Sequence, residues 1–246
     1  MRRTAMLAAL QLAANAVLMW GGYYWLGVGE SDMWRLAWSA TVALSLILFG
    51  CWWYGATLAY FAEDGGAIKS ALRLALGHLP ALIFVAAVAA ALYDLVSMAM
   101  SYSGAFALKV ASELTYRLQK PVSPQSVQNV LDTISLAIRW GVIPALLIPV
   151  AAAVAARGWS GFRAFGLPAR RLYWLLAPLL LVCALEIPRR LLRWIPEVDG
   201  FWVEMLSFLL RAGAGYLLLA AGWLALAFVT SAGKPRLSQP STVSSP

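Results

Sequence analysis

Six long apolar runs dominate this chain, and nothing else in it constrains the fold as tightly. They lie near 5–27, 36–61, 76–100, 130–156, 171–191 and 203–230. A helix of about 20 apolar residues crosses the roughly 30 Å hydrocarbon core of a bilayer. The runs are continuous in Ala and Leu, whereas barrel strands would alternate apolar with polar residues. The reading is an all-α, polytopic transmembrane bundle of about six spans, one domain over 1–231. Only 12% of the residues are charged and 62% are hydrophobic, against about 25% and 45–50% in soluble domains. A soluble enzyme, a disordered chain and a disulfide-rich secreted domain are excluded on that ground.

The first run has a rival reading as a cleaved leader, because Arg2 and Arg3 precede it and Ala14-Asn15-Ala16 has the small-x-small pattern of a cleavage site. Hydrophobicity continues through Trp20 to Leu26, which favours an uncleaved span.

Loop charges set the expected sidedness. With the N-terminus inside, the inner segments hold ten basic residues: Arg2, Arg3, Lys69, Arg73, Arg157, Arg163, Arg170, Arg171, Lys234 and Arg236. Only Glu63 and Asp64 oppose them. The outer segments hold seven basic residues (Arg35, Lys109, Arg117, Lys120, Arg189, Arg190, Arg193) against Glu30, Asp32, Glu113, Glu197 and Asp199. Both termini are therefore expected in the cytoplasm. The net charge of +8 sits mostly on that inner face, which would attract anionic lipid. Positive-inside topology accounts for the basicity, and no nucleic-acid partner is expected. Trp20, Tyr23, Tyr24, Trp25, Trp34, Trp38, Trp194 and Trp202 are expected in an outer aromatic belt; Trp52, Trp53, Tyr54, Tyr60, Trp159 and Trp174 in an inner one.

Between the third and fourth runs, Phe106, Ala107, Val110, Ala111, Leu114 and Leu118 recur at helical spacing. The opposite face carries Lys109, Glu113, Tyr116 and Lys120, a pattern that predicts a short amphipathic helix in the outer interface. Pro121 ends it. Ser123 and Pro124 read as the cap and first position of the next helix. The segment 232–246 has little to bury and is expected to be a disordered cytoplasmic tail.

The candidate ionisable residues inside the runs are Asp94, Asp132, Arg139, Glu186, Glu204 and Arg211, all in the outer third of their helices. Each would cost about 2.5–3.5 kcal/mol at the bilayer centre, so such groups tend to pair or line a cavity. Asp132-Thr-Ile-Ser-Leu-Ala-Ile-Arg139-Trp-Gly141 matches Glu204-Met-Leu-Ser-Phe-Leu-Leu-Arg211-Ala-Gly213 position by position. Internal repeats of this kind accompany polar transport sites. One reading is an outward-facing polar cavity lined by all six; the other is that the arginines snorkel to head groups and the acids sit in water. Pro144, Pro149 and Pro178 free the carbonyls of Trp140, Ala145 and Trp174, which must find partners in a membrane. Gln11 and Asn15 are expected to hydrogen-bond across a helix interface. Gly213, Gly215, Ala87 and Ala91 permit close helix approach.

Chemistry beyond this is sparse. Cys51 and Cys183 stand alone inside runs, and His78 is the only histidine. No metal, cofactor or catalytic motif is expected.

The segment Gly65-Gly66-Ala-Ile-Lys69-Ser-Ala-Leu-Arg73-Leu-Ala-Leu-Gly-His-Leu79-Pro80-Ala-Leu82 resembles the basic amphipathic run that enters a helix in bacterial six-pass proteins of the YciC-like group. It is similar also to the membrane domain of glycerophosphodiester phosphodiesterases. That resemblance implies a bacterial inner membrane. The phosphodiesterase catalytic domain is absent, so no activity carries over. The expected role is a non-enzymatic accessory or structural component of the membrane, packed against lipids or another membrane protein. The alternatives are a small permease or channel and, third, an intramembrane enzyme using Asp94, Asp132 or Glu186.

Overall fold

The computed structural model describes residues 2–29, 31–63, 66–163, 171–196 and 200–232. The expected tail beyond 232, and the charges of Glu30, Asp64, Arg170, Glu197, Asp199, Lys234 and Arg236, lie outside them. Among the described residues the chain is helical throughout, with no strand.

Ten α-helices follow in order: α1 (Arg2–Leu26), α2 (Met33–Ala62), α3 (Ile68–Gly77), α4 (Leu79–Ser101), α5 (Ser103–Leu118), α6 (Pro124–Ala137), α7 (Ile143–Arg157), α8 (Arg171–Leu181), α9 (Ile187–Arg193) and α10 (Phe201–Ala232). A π-helical turn, Ile138–Val142, joins α6 to α7, and a second, Val182–Glu186, joins α8 to α9. Five helices are long and apolar enough to cross a membrane: Thr4–Leu26, Met33–Ala62, Leu79–Ser101, Pro124–Phe162 and Phe201–Ser231. They match five of the six expected runs, and the chain is an all-α membrane bundle. The run at 171–191 is helical from Arg171 to Arg193 but is not among these five.

Local signals place the boundaries. Asp32 caps α2 by accepting from the Arg35 amide at 2.9 Å. Ser123 caps α6, its Oγ accepting from the Ser126 amide at 3.1 Å, with Pro124 in the first position as expected. The amphipathic helix is present as α5, ended by Gln119 in the left-handed region at φ 52°. Within it Arg117 pairs with Glu113 one turn earlier, at 2.7 Å.

The core is lopsided. It gathers the start of α1, the ends of α2 and α7, α3, and the starts of α4 and α8, with the end of α10. Alanines at 56, 59, 71, 75, 81, 152, 155, 177 and 227 supply much of it, so backbones approach closely. A Cβ on Gly161 would sit 2.5 Å from the Ala153 carbonyl oxygen, so only glycine lets the 3₁₀ turn Gly158–Phe162 lie against α7. His78, between α3 and α4, places Nδ1 2.9 Å from the Ala155 carbonyl, one of the orphan acceptors at the end of α7. This is the packed end of the bundle, and it carries exposed Lys69, Arg73, Arg157 and Arg163.

At the opposite, open end, large apolar side chains face outward: Trp20 (72%), Trp34 (85%) and Trp202 (80%) are mostly exposed. Trp20, Trp34 and Trp202, expected together in the outer belt, are thus all exposed at this end. The inner one is partly replaced by core, since Trp53 and Tyr60 are buried. Trp53 is drawn inward because its indole N–H finds an acceptor inside the bundle.

Candidate functional site

That acceptor belongs to a buried polar seam between α1 and α2. Gln11 Oε1 accepts from Trp53 Nε1 at 2.9 Å and from Thr57 Oγ1 at 3.0 Å. Gln11 Nε2 donates to Asn15 Oδ1 at 3.1 Å, which also accepts from Tyr54 Oη at 2.9 Å. An indole only donates, so it forces the oxygen of Gln11 toward Trp53 and its nitrogen toward Asn15. The oxygen of Asn15 must then face Gln11, which leaves Asn15 Nδ2 buried without a partner. On the far side, Tyr54 packs edge-on to Trp223 of α10, with ring centroids 4.8 Å apart, and Tyr216 donates to the Leu12 carbonyl. Gln11 and Asn15 both bond across the helix interface, as expected, and the Gln11–Asn15 bond within α1 links those contacts into a network locking α1, α2 and α10.

The two π turns share a sequence cause. Each is followed by Ile-Pro: Ile143-Pro144 and Ile187-Pro188. In each, the isoleucine amide bonds five residues back, to the Ile138 and Val182 carbonyls. The next carbonyl, of Arg139 or Cys183, then faces a proline with no N–H. For this reason the carbonyl displaced beside Pro144 is that of Arg139, one residue earlier than α-helical spacing predicts for Trp140. Tyr93 Oη of α4 donates to it at 2.6 Å. The Ala145 carbonyl freed by Pro149 is met as expected, by Tyr173 Oη at 2.8 Å. Sequence reasoning assigned no role to Tyr93 or Tyr173.

The structure brings Asp94, Asp132, Arg139, Glu186, Glu204 and Arg211 to the open end, but no ion pair joins any two of them. They are met separately, and Arg139 Nε is left buried without a partner. Asp132 accepts from Gln128 at 2.9 Å, one turn earlier on its helix. Arg139 reaches across to Ser97 Oγ of α4 at 3.0 Å. Arg211 donates to the Ser207 carbonyl on α10, and to the Leu191 and Trp194 carbonyls, closing the end of α9. Glu204 sits in the first turn of α10, where the helix dipole favours an acid. Asp94 is exposed on α4. The repeat in sequence between Asp132–Arg139 and Glu204–Arg211 is not a repeat in role.

Glu186 is the exception, because it borders a cavity. A crevice of about 800 Å³ runs between the two π-turned helices, walled by Ala137, Trp140, Leu146, Pro178, Leu181 and Leu185. Its polar end holds Thr133, Glu186, Arg189 and Arg190. Glu186 accepts from Arg189 at 2.7 and 2.8 Å and from Arg190 at 2.9 Å. A single carboxylate thus orients two guanidinium groups and leaves one positive charge in excess. Of the six candidate residues, Glu186 alone lines this crevice. Among the described residues no three His, Cys, Asp or Glu side chains come together. A comparison with protein-family models, curated proteins and solved structures finds no match for this chain.

Proposed function

We propose that this chain is a non-enzymatic accessory component of a membrane, whose work is to pack against lipid and a membrane partner. The observation that carries the reading is that no two of the six candidate charges pair with one another. A transport path or intramembrane active site needs ionisable groups facing one another along a shared polar volume. Here Arg139 and Arg211 close an interhelical gap and a helix end, and the large crevice is apolar except at the one end that holds Glu186, Arg189 and Arg190. The seam at Gln11 fixes helix positions and offers no route.

We further propose a bacterial inner membrane, with the termini in the cytoplasm and the packed end on that face. The resemblance of 65–82 to YciC-like six-pass proteins motivates this, as do the exposed Lys69, Arg73, Arg157 and Arg163 at that end, which suit anionic lipid. Both termini share a side only if 171–193 crosses. Reporter fusions after residues 29, 120 and 196 test it: all three are expected outside, and a cytoplasmic signal at 196 with 120 outside removes the sixth crossing.

A second reading as a small permease draws on one observation, the two π turns with adjacent prolines facing a common crevice, where helices bend most readily. The purified full chain in liposomes separates the two. The accessory role predicts no saturable flux of ions or small polar solutes, and a stoichiometric membrane-protein partner after mild detergent extraction. Flux abolished by Arg139→Leu or Arg211→Leu would establish the permease instead.

A further inference from the structure

We propose that the crevice between the two π-turned helices is a binding site for one anionic glycerophospholipid. The proposal deepens the accessory reading by naming the lipid and the place. The two walls are antiparallel, since Tyr173 at the start of α8 reaches Ala145 on α7. From Trp174 to Arg190 the wall is sixteen residues, about 24 Å at 1.5 Å per residue. One leaflet of hydrocarbon is about 15 Å deep. An acyl chain therefore fits along the apolar length with distance left for the glycerol and phosphate. Gly141 opens the middle of the π-turn wall, because a Cβ placed there meets nothing within 4 Å.

The occupant follows from charge. The apolar length ends on two guanidinium groups held by one carboxylate, and their side chains remain 48% and 78% exposed. Arg193 follows one turn later on the same helix. Guanidinium forks match phosphate oxygens in a bidentate manner, and the surplus positive charge selects a head group with net negative charge over a zwitterionic one. Thr133 on the facing helix adds a hydroxyl at the same end. Glu186 acts as a positioning residue for both guanidiniums. An apolar partner helix would leave this charged end unanswered.

The test is native mass spectrometry of the full-length chain in mild detergent, incubated with phosphatidylglycerol or phosphatidylcholine of matched chains. One phosphatidylglycerol is expected to stay bound, about tenfold preferred over phosphatidylcholine. Arg190→Gln lowers that retention about fivefold, Arg189→Gln with Arg190→Gln removes the preference, and Gly141→Phe blocks the apolar length for both lipids. Glu186→Gln retains or strengthens phosphatidylglycerol binding, which a purely structural role for the triad would not produce. Equal retention of the two lipids by the parent chain, or retention unmoved in both Gly141→Phe and the double arginine variant, overturns the site. Thermal unfolding of each variant guards against misfolding. Absence of bound lipid together with absence of flux removes this site and leaves the accessory reading; solute flux removes that reading whatever lipid is bound.

Discussion

The two ends of this bundle solve the same problem in opposite ways. At the packed end, polar groups reach across helices: Gln11 serves Trp53 and Thr57, and His78 meets the last turn of α7. At the open end, most charged groups are answered close by: Asp132 by Gln128, Glu186 by Arg189 and Arg190, Arg211 partly by Ser207. Small residues make the difference. Where alanine and glycine bring backbones together, a polar side chain finds its partner on the next helix. Where Trp, Leu and Phe face outward, the partner comes more often from the same helix, although Arg139 and Arg211 also reach a neighbour. The packed end is built for rigidity, and the open end leaves room for a guest.

Substitutions that break the packed end are expected to cost most. Gly161→Ala drives a methyl onto the Ala153 carbonyl and should destabilise by about 3 kcal/mol, read as a lowered midpoint in denaturant unfolding. Gln11→Leu removes two interhelical bonds, from Trp53 and Thr57, and the bond to Asn15 within α1. At about 0.6 kcal/mol for each interhelical bond in a membrane, with buried partners left unsatisfied, the loss is about 2 kcal/mol, measured the same way. Tyr173→Phe leaves the Ala145 carbonyl without its donor, for about 1 kcal/mol, and should increase deuterium uptake in the turn after Pro149. Glu186→Gln, at the open end, should leave the unfolding midpoint nearly unchanged while releasing Arg189 and Arg190. If that ordering inverted, the contrast between the ends would be wrong.

Hydropathy made five long helices legible, four of them within three residues at each end, because the demand for about 20 apolar residues leaves little latitude. Local chemistry placed the cap at Ser123 and the helix at α5. The lopsided core was not legible, since it depends on which alanines meet across helices, and alanine is abundant in every run. The π turns were hidden for a related reason. Ile-Pro occurs also at Ile148-Pro149, where α7 continues, so the dipeptide alone does not select a π register. The matched ten-residue segments in α6 and α10 suggested a paired site, yet their arginines face different neighbours, Ser97 in one case and the end of α9 in the other.

The independence of the open-end charges is the claim on which the functional reading stands. It is tested most directly by a double-mutant cycle on unfolding free energy, using Arg139→Leu, Arg211→Leu and the pair. The account predicts additivity to within about 0.5 kcal/mol, as for residues that share no partner. A coupling energy above about 1 kcal/mol would mean that the two arginines belong to one site, and would contradict it.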